Sequence, residues 1–255
     1  MEIMISKKER IKSIDKVLDL LEFLSINEQE IGVAEISKKI NMGISTVHRI
    51  LTTLKSRGYI NQNEQTAKYR LGIKLFELGC AVQNTKRLVE IAKPYLRELS
   101  EITTEIVNLA ILEGREVIYL SKIESTEVLT VNIKSGTRVL AHCTALGKVL
   151  LAFIPDREFD GLYKADEPLS SLTSKSISSL EELKKNLKKV KEQGYAVDRE
   201  EYKIGINCIG VPIFGRNGAI AAISITGPSS RFSIDKMENV KDKLITISKE
   251  ISNQL

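Results

Sequence analysis

Residues 33–72 of the chain read VAEISKKINMGISTVHRILTTLKSRGYINQNEQTAKYRLG. This stretch predicts two short amphipathic helices, a tight turn between them, and two short strands around a polar tip. The turn is expected at Asn41 to Gly43, because Asn and Gly tolerate the left-handed backbone that a sharp helix–helix turn uses. This order of elements is typical of a winged helix-turn-helix.

The second of the two helices has an apolar face and a polar face. Apolar residues recur at Val47, Ile50, Leu51 and Leu54, which is the i, i+3, i+4, i+7 spacing of a buried helix face. The opposite face offers short hydrogen-bonding groups and cations, which suit base edges and phosphates in a major groove. The residues of this helix that we expect to contact DNA are Ser45, Thr46, His48, Arg49, Thr52 and Lys55.

The predicted wing adds Lys68 and Arg70, which lie on one side of its second strand and can follow a phosphate backbone. Between Lys38 and Arg70 there are seven Lys or Arg and one Asp or Glu, a balance of +6, whereas the whole chain carries +5. A helix pair with a hairpin inside an ordinary domain would not need this concentration of charge. The wing, the polar face and the charge together favour a DNA-binding domain.

Length and composition allow two domains and indicate a soluble protein. The chain has 255 residues, of which 42% are hydrophobic and 28% are charged. It has no apolar run of the roughly 18 residues that a membrane span needs, and its start lacks a signal-peptide pattern. Three widely spaced cysteines, Cys80, Cys143 and Cys208, indicate no disulfide framework. We therefore expect a cytoplasmic protein with no membrane partner.

Helices are expected before and after the winged segment. A first helix over residues 13–25 would complete the core of the DNA-binding domain, and a helix over residues 73–90 would connect domains or pair with a second chain. Because Pro94 breaks a helix interior, a further helix is expected to begin near Pro94 and to run to about residue 104. The face that the first helix would bury holds Ile14, Val17, Leu18, Leu21 and Leu24.

From Val107 onward the apolar period changes to the alternation of strands. VNLAILEG and EVIYLSKIE, joined by a Gly-Arg link, predict one β-hairpin, and residues 206–214 and 219–226 predict a second. A further strand is predicted at residues 128–136. An antiparallel sheet with helices, which is an α+β fold, follows.

The helices of this part are predicted over residues 144–154, 178–193 and 233–253. Ser178 and Glu181 have the spacing of a capping box at the start of the second of them.

Three polar clusters interrupt the apolar pattern of this part. At residues 142–148 a helix start would offer free N–H groups and a positive dipole end to an anion. Asp198 and Glu201, followed by Cys208, form the second cluster, and Ser224 and Thr226, on one side of the last strand, form the third. Each has an ordinary alternative, since buried cysteines are usually core residues and loop carboxylates are usually solvated. Together in one cavity they would form a small-molecule pocket.

Other classes of function are weaker. A cysteine-dependent enzyme fused to a DNA-binding module would pair His142 with Cys143 or Cys208, but no base is placed to activate Cys208. A metal site of Cys143, Asp198 and Cys208 has no standard ligand spacing. A DNA-bound architectural protein without a ligand is a third alternative. We predict no catalytic residue, no cofactor and no metal.

The chain resembles the IclR family of bacterial transcriptional regulators over nearly its whole length. The matching stretches are ISTVHRILTTL (44–54), HCTALGKVLLA (142–152) and GYAVDREEYKIGINCIGVPIF (194–214). Gly215 departs from the Asp or Asn that the family usually has at this point, in a hairpin turn. The residues of the third stretch that fall at the family's spacing are Gly194, Asp198, Glu201, Cys208 and Gly210.

The resemblance implies a winged helix-turn-helix domain over residues 1–72, a linker and dimerisation helix over 73–92, and a GAF-like effector domain over 93–255. It implies a homodimer, or a dimer of dimers, on double-stranded operator DNA. It also implies a ligand-responsive regulator, with repression favoured, whose effector is a small carboxylate or sugar acid; some members hold a metal near the pocket. The positions that match the family's effector pocket are Ala145, Leu146, Asp198, Cys208, Ser224 and Thr226.

Overall fold

A computed structural model describes residues 11–27, 29–125, 127, 134–164 and 167–255. The strand predicted at 128–136 lies mostly outside the described residues. The chain divides after Gln83 into two compact units. Among the described residues no helix is long and apolar enough to cross a membrane.

The first unit contains the predicted winged helix-turn-helix. Its elements are α1 (Lys12–Ser25), α2 (Val33–Lys39), α3 (Ile44–Ser56), β1 (Ile60–Gln62), β2 (Tyr69–Leu71) and α4 (Ile73–Cys80). The two strands pair antiparallel with Ile60 opposite Leu71, which confirms the wing. In the turn between α2 and α3 only Asn41 is left-handed (φ 49°), whereas Gly43 has φ −58° and precedes α3.

The buried face of α1 differs from the predicted one. Leu20 and Leu24 are 0% and 4% exposed, whereas Ile14 and Leu18, both predicted to be buried, are 52% and 48% exposed. Leucine and isoleucine occupy so many positions of this helix that it has two apolar stripes. Packing against the rest of the unit selects one of them, and the other stays on the surface.

The second unit is built on an antiparallel sheet. Its strands are β3 (Ile106–Glu113), β4 (Glu116–Ile123), β5 (Arg138–Leu140), β6 (Ala196–Arg199), β7 (Ile206–Gly215) and β8 (Gly218–Pro228). They form a six-stranded sheet in the order β5-β4-β3-β8-β7-β6. Both predicted hairpins are confirmed, as the pairs β3–β4 and β7–β8.

Helices cover both faces of this sheet, as the α+β prediction requires. They are α5 (Gln83–Thr103), α6 (Ala145–Phe153), α7 (Asp156–Leu162), α8 (Leu180–Gln193) and α9 (Ile234–Ser252). One face packs on α5 and α9 through residues such as Leu109, Ile223 and Leu244. The other face packs on α6 and α8 through residues such as Ala110 and Leu183.

The helix α5 passes through Pro94 without a break, so the prediction that a helix begins there is wrong. A proline inside a helix costs about 3 kcal/mol, because it removes a hydrogen bond and crowds the preceding turn. Leu88, Ala92 and Leu96 are all 4% exposed or less on the face that packs against the sheet, and this burial outweighs the cost. The break between helices falls instead at residues 81–82, so the predicted linker helix is two helices.

The cap of α8 lies one residue later than predicted. Ser179, rather than Ser178, caps the helix by accepting a hydrogen bond from the N–H of Glu182. Gly194 ends the helix with a left-handed backbone (φ 79°).

The start of α6 is held tightly against the 3-10 turn that precedes it, Ala141–Cys143. A Cβ on Gly147 would lie 2.1 Å from the carbonyl oxygen of Ala141 and 2.3 Å from its Cα. Thr144 caps the helix, since its Oγ1 accepts a hydrogen bond from the N–H of Gly147 at 3.0 Å. Only glycine permits this approach, which sets where α6 begins.

We expect Gly147→Ala to lower the free energy of unfolding by about 2–3 kcal/mol, because the added methyl group overlaps backbone atoms. The matched control is Gly161→Ala in α7, where an added Cβ meets nothing within 4 Å. The control is expected to gain up to about 1 kcal/mol, since alanine favours helices over glycine. Urea unfolding of both variants, followed by circular dichroism, makes the measurement. Equal free energies for Gly147→Ala and the wild type would contradict this packing.

Candidate functional site

The exposed face of α3 carries the residues predicted to contact DNA. The predicted apolar face is confirmed, with Val47 and Leu51 at 0% and Leu54 at 7% exposure, while Ile50 is half-buried. On the opposite side Thr46 is half-buried, and the exposed residues are Ser45, His48, Arg49, Thr52 and Lys55. The polar surface that a major groove requires is therefore present, and the role of each residue stays a prediction.

The wing is tied to its own unit by polar contacts. Lys55 donates a hydrogen bond from Nζ to Oε1 of Gln62 at 2.9 Å, which joins the end of α3 to β1. Arg70 lies in β2 with its Nε 3.8 Å from Oε1 of Glu30. Lys68 is exposed just before β2. The guanidinium of Arg70 thus has the Glu30 carboxylate as a neighbour, whereas Lys68 lies exposed near the tip of the wing.

Strand register brings four of the predicted effector residues together in the second unit. Asp198 lies opposite Cys208, and Cys208 lies opposite Thr226. Ser224 precedes Thr226 by two residues and shares its face of the sheet. All four are 6% exposed or less. Sγ of Cys208 is 3.0 Å from Oγ1 of Thr226, so these side chains form one buried polar row.

The first turn of α6 meets this row at Gly210. A Cβ on Gly210 would lie 3.1 Å from the carbonyl carbon of Ala145 and 3.2 Å from the nitrogen of Leu146. Gly210 lies opposite Ser224 in the neighbouring strand. N–H groups in a first helical turn lack acceptors within the helix, and the helix dipole favours an anion there. All six predicted effector residues therefore lie at one face of the sheet.

Asn108 is a member of this face that the sequence analysis missed. It lies on β3 opposite Ser224 and is 0% exposed. Its Nδ2 donates to Oγ of Ser224 at 3.4 Å and to Oγ1 of Thr226 at 3.2 Å. Its Oδ1 is buried and has no hydrogen-bond partner among the described residues. The available signal was a polar residue in the buried phase of a strand, between Ile106 and Ala110.

A buried ion pair closes the face beside Asp198. Nζ of Lys148, a residue only 1% exposed, donates to both carboxylate oxygens of Glu201 and to the carbonyl oxygen of Val197, each at 2.6 Å. Oδ1 of Asp198 accepts hydrogen bonds from the N–H groups of Glu201 (2.7 Å) and Tyr202 (3.3 Å). These contacts hold the end of β6 against α6. The sequence pattern placed Lys148 and Glu201 in two of the polar clusters, but neither was among the predicted effector residues.

Comparison with known proteins identifies the two units. The family model described as "Bacterial transcriptional regulator IclR C-terminal" matches residues 80–253, and the "IclR helix-turn-helix domain" matches residues 13–64. The chain belongs to the IclR family. The resemblance seen in the sequence is thus confirmed, and with it a helix-turn-helix regulator that carries a C-terminal effector-binding domain.

Relatives of this IclR-family chain share nearly its whole length. The HTH-type transcriptional regulator KdgR of Dickeya chrysanthemi is 39% identical over 248 residues, which cover 97% of this chain and 81% of the relative. The crystal structure of the Thermotoga maritima IclR is 33% identical, with a TM-score of 0.78 over 96% of this chain and 99% of that one. An IclR homologue from Microbacterium hydrocarbonoxydans, complexed with 4-hydroxybenzoate, has the same fold at 22% identity, with a TM-score of 0.81 over 94% and 98% of the two chains.

The electrostatics of the effector domain make Asp198 a proton acceptor near neutral pH. Burial raises its pKa to about 7, the charge of Glu201 adds to this, and the Lys148 ammonium and two backbone N–H groups oppose it. A protonated Asp198 no longer repels an anion. In its charged form the carboxylate of Asp198 would repel an anionic effector. Because its pKa is about 7, it can take up a proton when such a ligand binds.

The described thiols lack the environment of a nucleophile. Burial, helped by the charge of Asp198, raises the pKa of Cys208 to about 12. Burial also raises the pKa of Cys143 and lowers the pKa of His142, whose Nε2–H donates to the carbonyl oxygen of Ser170 at 2.8 Å. Both thiols are therefore protonated at neutral pH, which disfavours a cysteine-dependent enzyme.

The donor set for a metal is also not assembled. No group of three or more His, Cys, Asp or Glu side chains within the described part of the chain could hold a metal ion. We assign no metal to this site.

An open groove on the surface of the effector domain is a competing place for a ligand. It has a volume of about 390 Å³ and is lined by residues of α6, α7 and α8 that include Phe159, Lys184 and Lys188. Lys184 lies 3.1 Å from a carboxylate oxygen of Asp160, and both side chains are more than half exposed. Solvated, paired charges bind an anion weakly. The buried polar face of the sheet is the stronger candidate.

The raised pKa of Asp198 predicts how stability depends on pH. Between about pH 4 and 7 Asp198 keeps its proton in the folded protein but loses it in the unfolded chain. The free energy of unfolding of the wild type therefore falls as the pH rises through this window. An asparagine at this position would not titrate and could still accept both backbone hydrogen bonds. We expect the stability of Asp198→Asn relative to the wild type to rise by up to about 1.4 kcal/mol per pH unit in this window and to level off above it.

Denaturant unfolding at pH 5, 6, 7 and 8 measures this difference. Asp242→Asn, at an exposed position of α9, is the control and is expected to show no such trend. A pH-independent difference between Asp198→Asn and the wild type would contradict the raised pKa.

Proposed function

We propose that this chain is a ligand-responsive transcriptional repressor of the cytoplasm that binds operator DNA as a homodimer. A small carboxylate or sugar acid binds at the polar face of the effector-domain sheet and releases the DNA. The chain catalyses no reaction. The observation that carries the proposal is a row of buried polar groups, one of them unpaired among the described residues, on a largely apolar sheet face beside the first turn of α6.

The DNA contacts are assigned to α3 and the wing. Arg49 extends from the exposed polar face of α3, where a guanidinium can bind a guanine edge with two hydrogen bonds. Lys68 precedes β2 and suits the phosphate backbone, which any sequence offers. Lys55 and Arg70 have partners within the unit and are assigned a lesser, positioning share. The hydroxyl of Thr52 donates to the carbonyl oxygen of His48 at 2.9 Å and can still accept a hydrogen bond from a base.

We expect Arg49→Ala to weaken operator binding by about 1–3 kcal/mol and to relax sequence preference at one position. Lys68→Ala is expected to weaken binding to all sequences alike and to reduce the salt slope by about one. Arg157→Ala, which removes an exposed cation from the effector domain, is the control and should change neither quantity. Fluorescence anisotropy at several salt concentrations, on an operator selected from random DNA, makes the measurement. Operator affinity unchanged in Arg49→Ala would remove this residue from the contact surface.

Dimerisation is assigned to the first unit and to the predicted linker, residues 73–92. The side chains of Ile14 and Leu18 on α1, and of Phe76 and Leu78 on α4, are 48% to 67% exposed. Monomeric proteins seldom expose so many large apolar side chains on two helices of one small unit. Two-fold symmetry also matches the paired half-sites that helix-turn-helix proteins use. Dimers that pair further would give a tetramer.

Phe76→Asp is expected to convert the dimer into a monomer at micromolar concentration, because a charge at the centre of an apolar interface cannot stay solvated. Ile204→Asp, at a residue of the effector domain that is 58% exposed, is the control and should leave the mass unchanged. Size-exclusion chromatography with light scattering reports the mass. A wild-type monomer, with or without operator DNA, would contradict the assignment.

Repression requires fewer interactions of the protein than activation does. Occupying an operator blocks transcription with no surface beyond the DNA-binding unit, whereas activation needs a further contact with the polymerase. A reporter gene placed behind the selected operator tests this directly. Its expression should fall when the chain is present and should recover when the effector is supplied.

A further inference from the structure

We propose that Asn108 selects a hydroxylated carboxylate over the same acid without the hydroxyl, by accepting a hydrogen bond from the ligand at Oδ1. This inference rests on the proposed effector site and specifies the class of ligand that the site takes.

The amide of Asn108 is half satisfied. Its side chain forms hydrogen bonds through Nδ2, which donates to the hydroxyls of Ser224 and Thr226. Oδ1 remains without a partner among the described residues, in a side chain with no exposed surface. A buried acceptor without a partner is rare in folded proteins because it has lost its water without a replacement. A ligand that donates a hydrogen bond to Oδ1 replaces the hydrogen bond to water that this atom loses on folding.

The unpaired atom determines which ligand groups fit. A carboxylate or a ketone offers only acceptors and cannot pair with Oδ1, whereas a hydroxyl donates. An ammonium group also donates, but Lys122 lies directly opposite Asn108 on β4, with its side chain only 7% exposed and its Nζ 2.8 Å from a carboxylate oxygen of Glu124. Lys122 already has Glu124 as its counter-ion, so a ligand ammonium at Asn108 would add a like charge beside it. A neutral hydroxyl is therefore the donor that this position favours.

The register of the sheet sets the distance between the two ends of the ligand. Gly210, Ser224 and Asn108 are partners on three neighbouring strands, β7, β8 and β3. Two strand spacings separate Asn108 from Gly210 by roughly 10 Å, and the first turn of α6 lies against Gly210. A ligand that joins these two places is therefore a short chain, with a carboxylate at the helix start and a hydroxyl a few carbons away at Asn108.

Matched pairs of acids test the proposal on the wild-type protein. The probes are propionate with 3-hydroxypropionate, butyrate with 4-hydroxybutyrate, and hexanoate with gluconate. Isothermal titration calorimetry, supported by melting-temperature shifts, gives the affinities. We expect the hydroxylated member of at least one pair to bind at least tenfold more tightly than its partner. A site that hydrogen-bonds a hydroxyl rejects the analogue that lacks it, since its own polar group is then left unpaired.

A variant and a matched control assign the selectivity to Asn108. In Asn108→Leu the preference within the pair should fall below threefold, because no acceptor remains. Asn207→Leu is the control: Asn207 is also a buried asparagine, on β7 next to Cys208, and its Nδ2 donates to the carbonyl oxygen of Phe232 at 2.9 Å. Whatever its loss of stability, the control must keep the tenfold preference. If Asn108→Leu does not fold, Asn108→Ala takes its place, and equal affinities within every acid pair on the wild type still overturn the proposal.

The outcomes separate this inference from the proposed function. If both members of every pair bind equally well, or if Asn108→Leu keeps the full preference, the inference is wrong and the carboxylate site stands. If 4-aminobutyrate binds more tightly than 4-hydroxybutyrate, the donor has been assigned wrongly. If no acid of either kind binds, the carboxylate effector itself is wrong, and the inference falls with it.

Discussion

The close approach of α6 to its surroundings is the constraint on which the effector domain depends. Gly147 lets the helix lie against the backbone of Ala141, and Gly210 lets its first turn lie against β7. A side chain at either position would push the helix start away from the sheet. Because the helix start stays close, the N–H groups of its first turn lie beside the polar row that runs from Asp198 to Asn108. The same two glycines thus set the packing of α6 and the position of its first turn beside the polar row.

The polar row makes the effector domain less stable than it would be with apolar residues at the same positions. Asn108 leaves an acceptor unpaired among the described residues, Asp198 has its pKa raised to about 7 by burial, and Lys148 is almost completely enclosed with Glu201. Such groups are expected where a ligand supplies the missing hydrogen bonds, because binding then stabilises the folded domain. A sensor needs this difference between empty and occupied states, because a ligand can shift an equilibrium only by its differential affinity.

Local features of the sequence were enough for the order of elements in the winged helix-turn-helix and for both hairpins. The left-handed turn at Asn41 and the helical period of α3 depend on neighbours a few residues away, and they were predicted correctly. The buried face of α1 and the passage of α5 through Pro94 were not, because packing against distant residues decides both. Asn108 was missed for the same reason: its partners are more than a hundred residues away, and only strand register brings them together.

The most direct test of the account is whether the polar row senses the ligand without taking part in DNA binding. The double variant Ser224→Ala/Thr226→Val removes both hydroxyls from the row, and Ser248→Ala, a buried serine on α9 that donates to the carbonyl oxygen of Pro212, is the matched control. Operator affinity is measured with and without the acid that binds the wild type. We expect the double variant to bind DNA as the wild type does but no longer to be released by the acid, while the control is released normally. Full release of the double variant would contradict it.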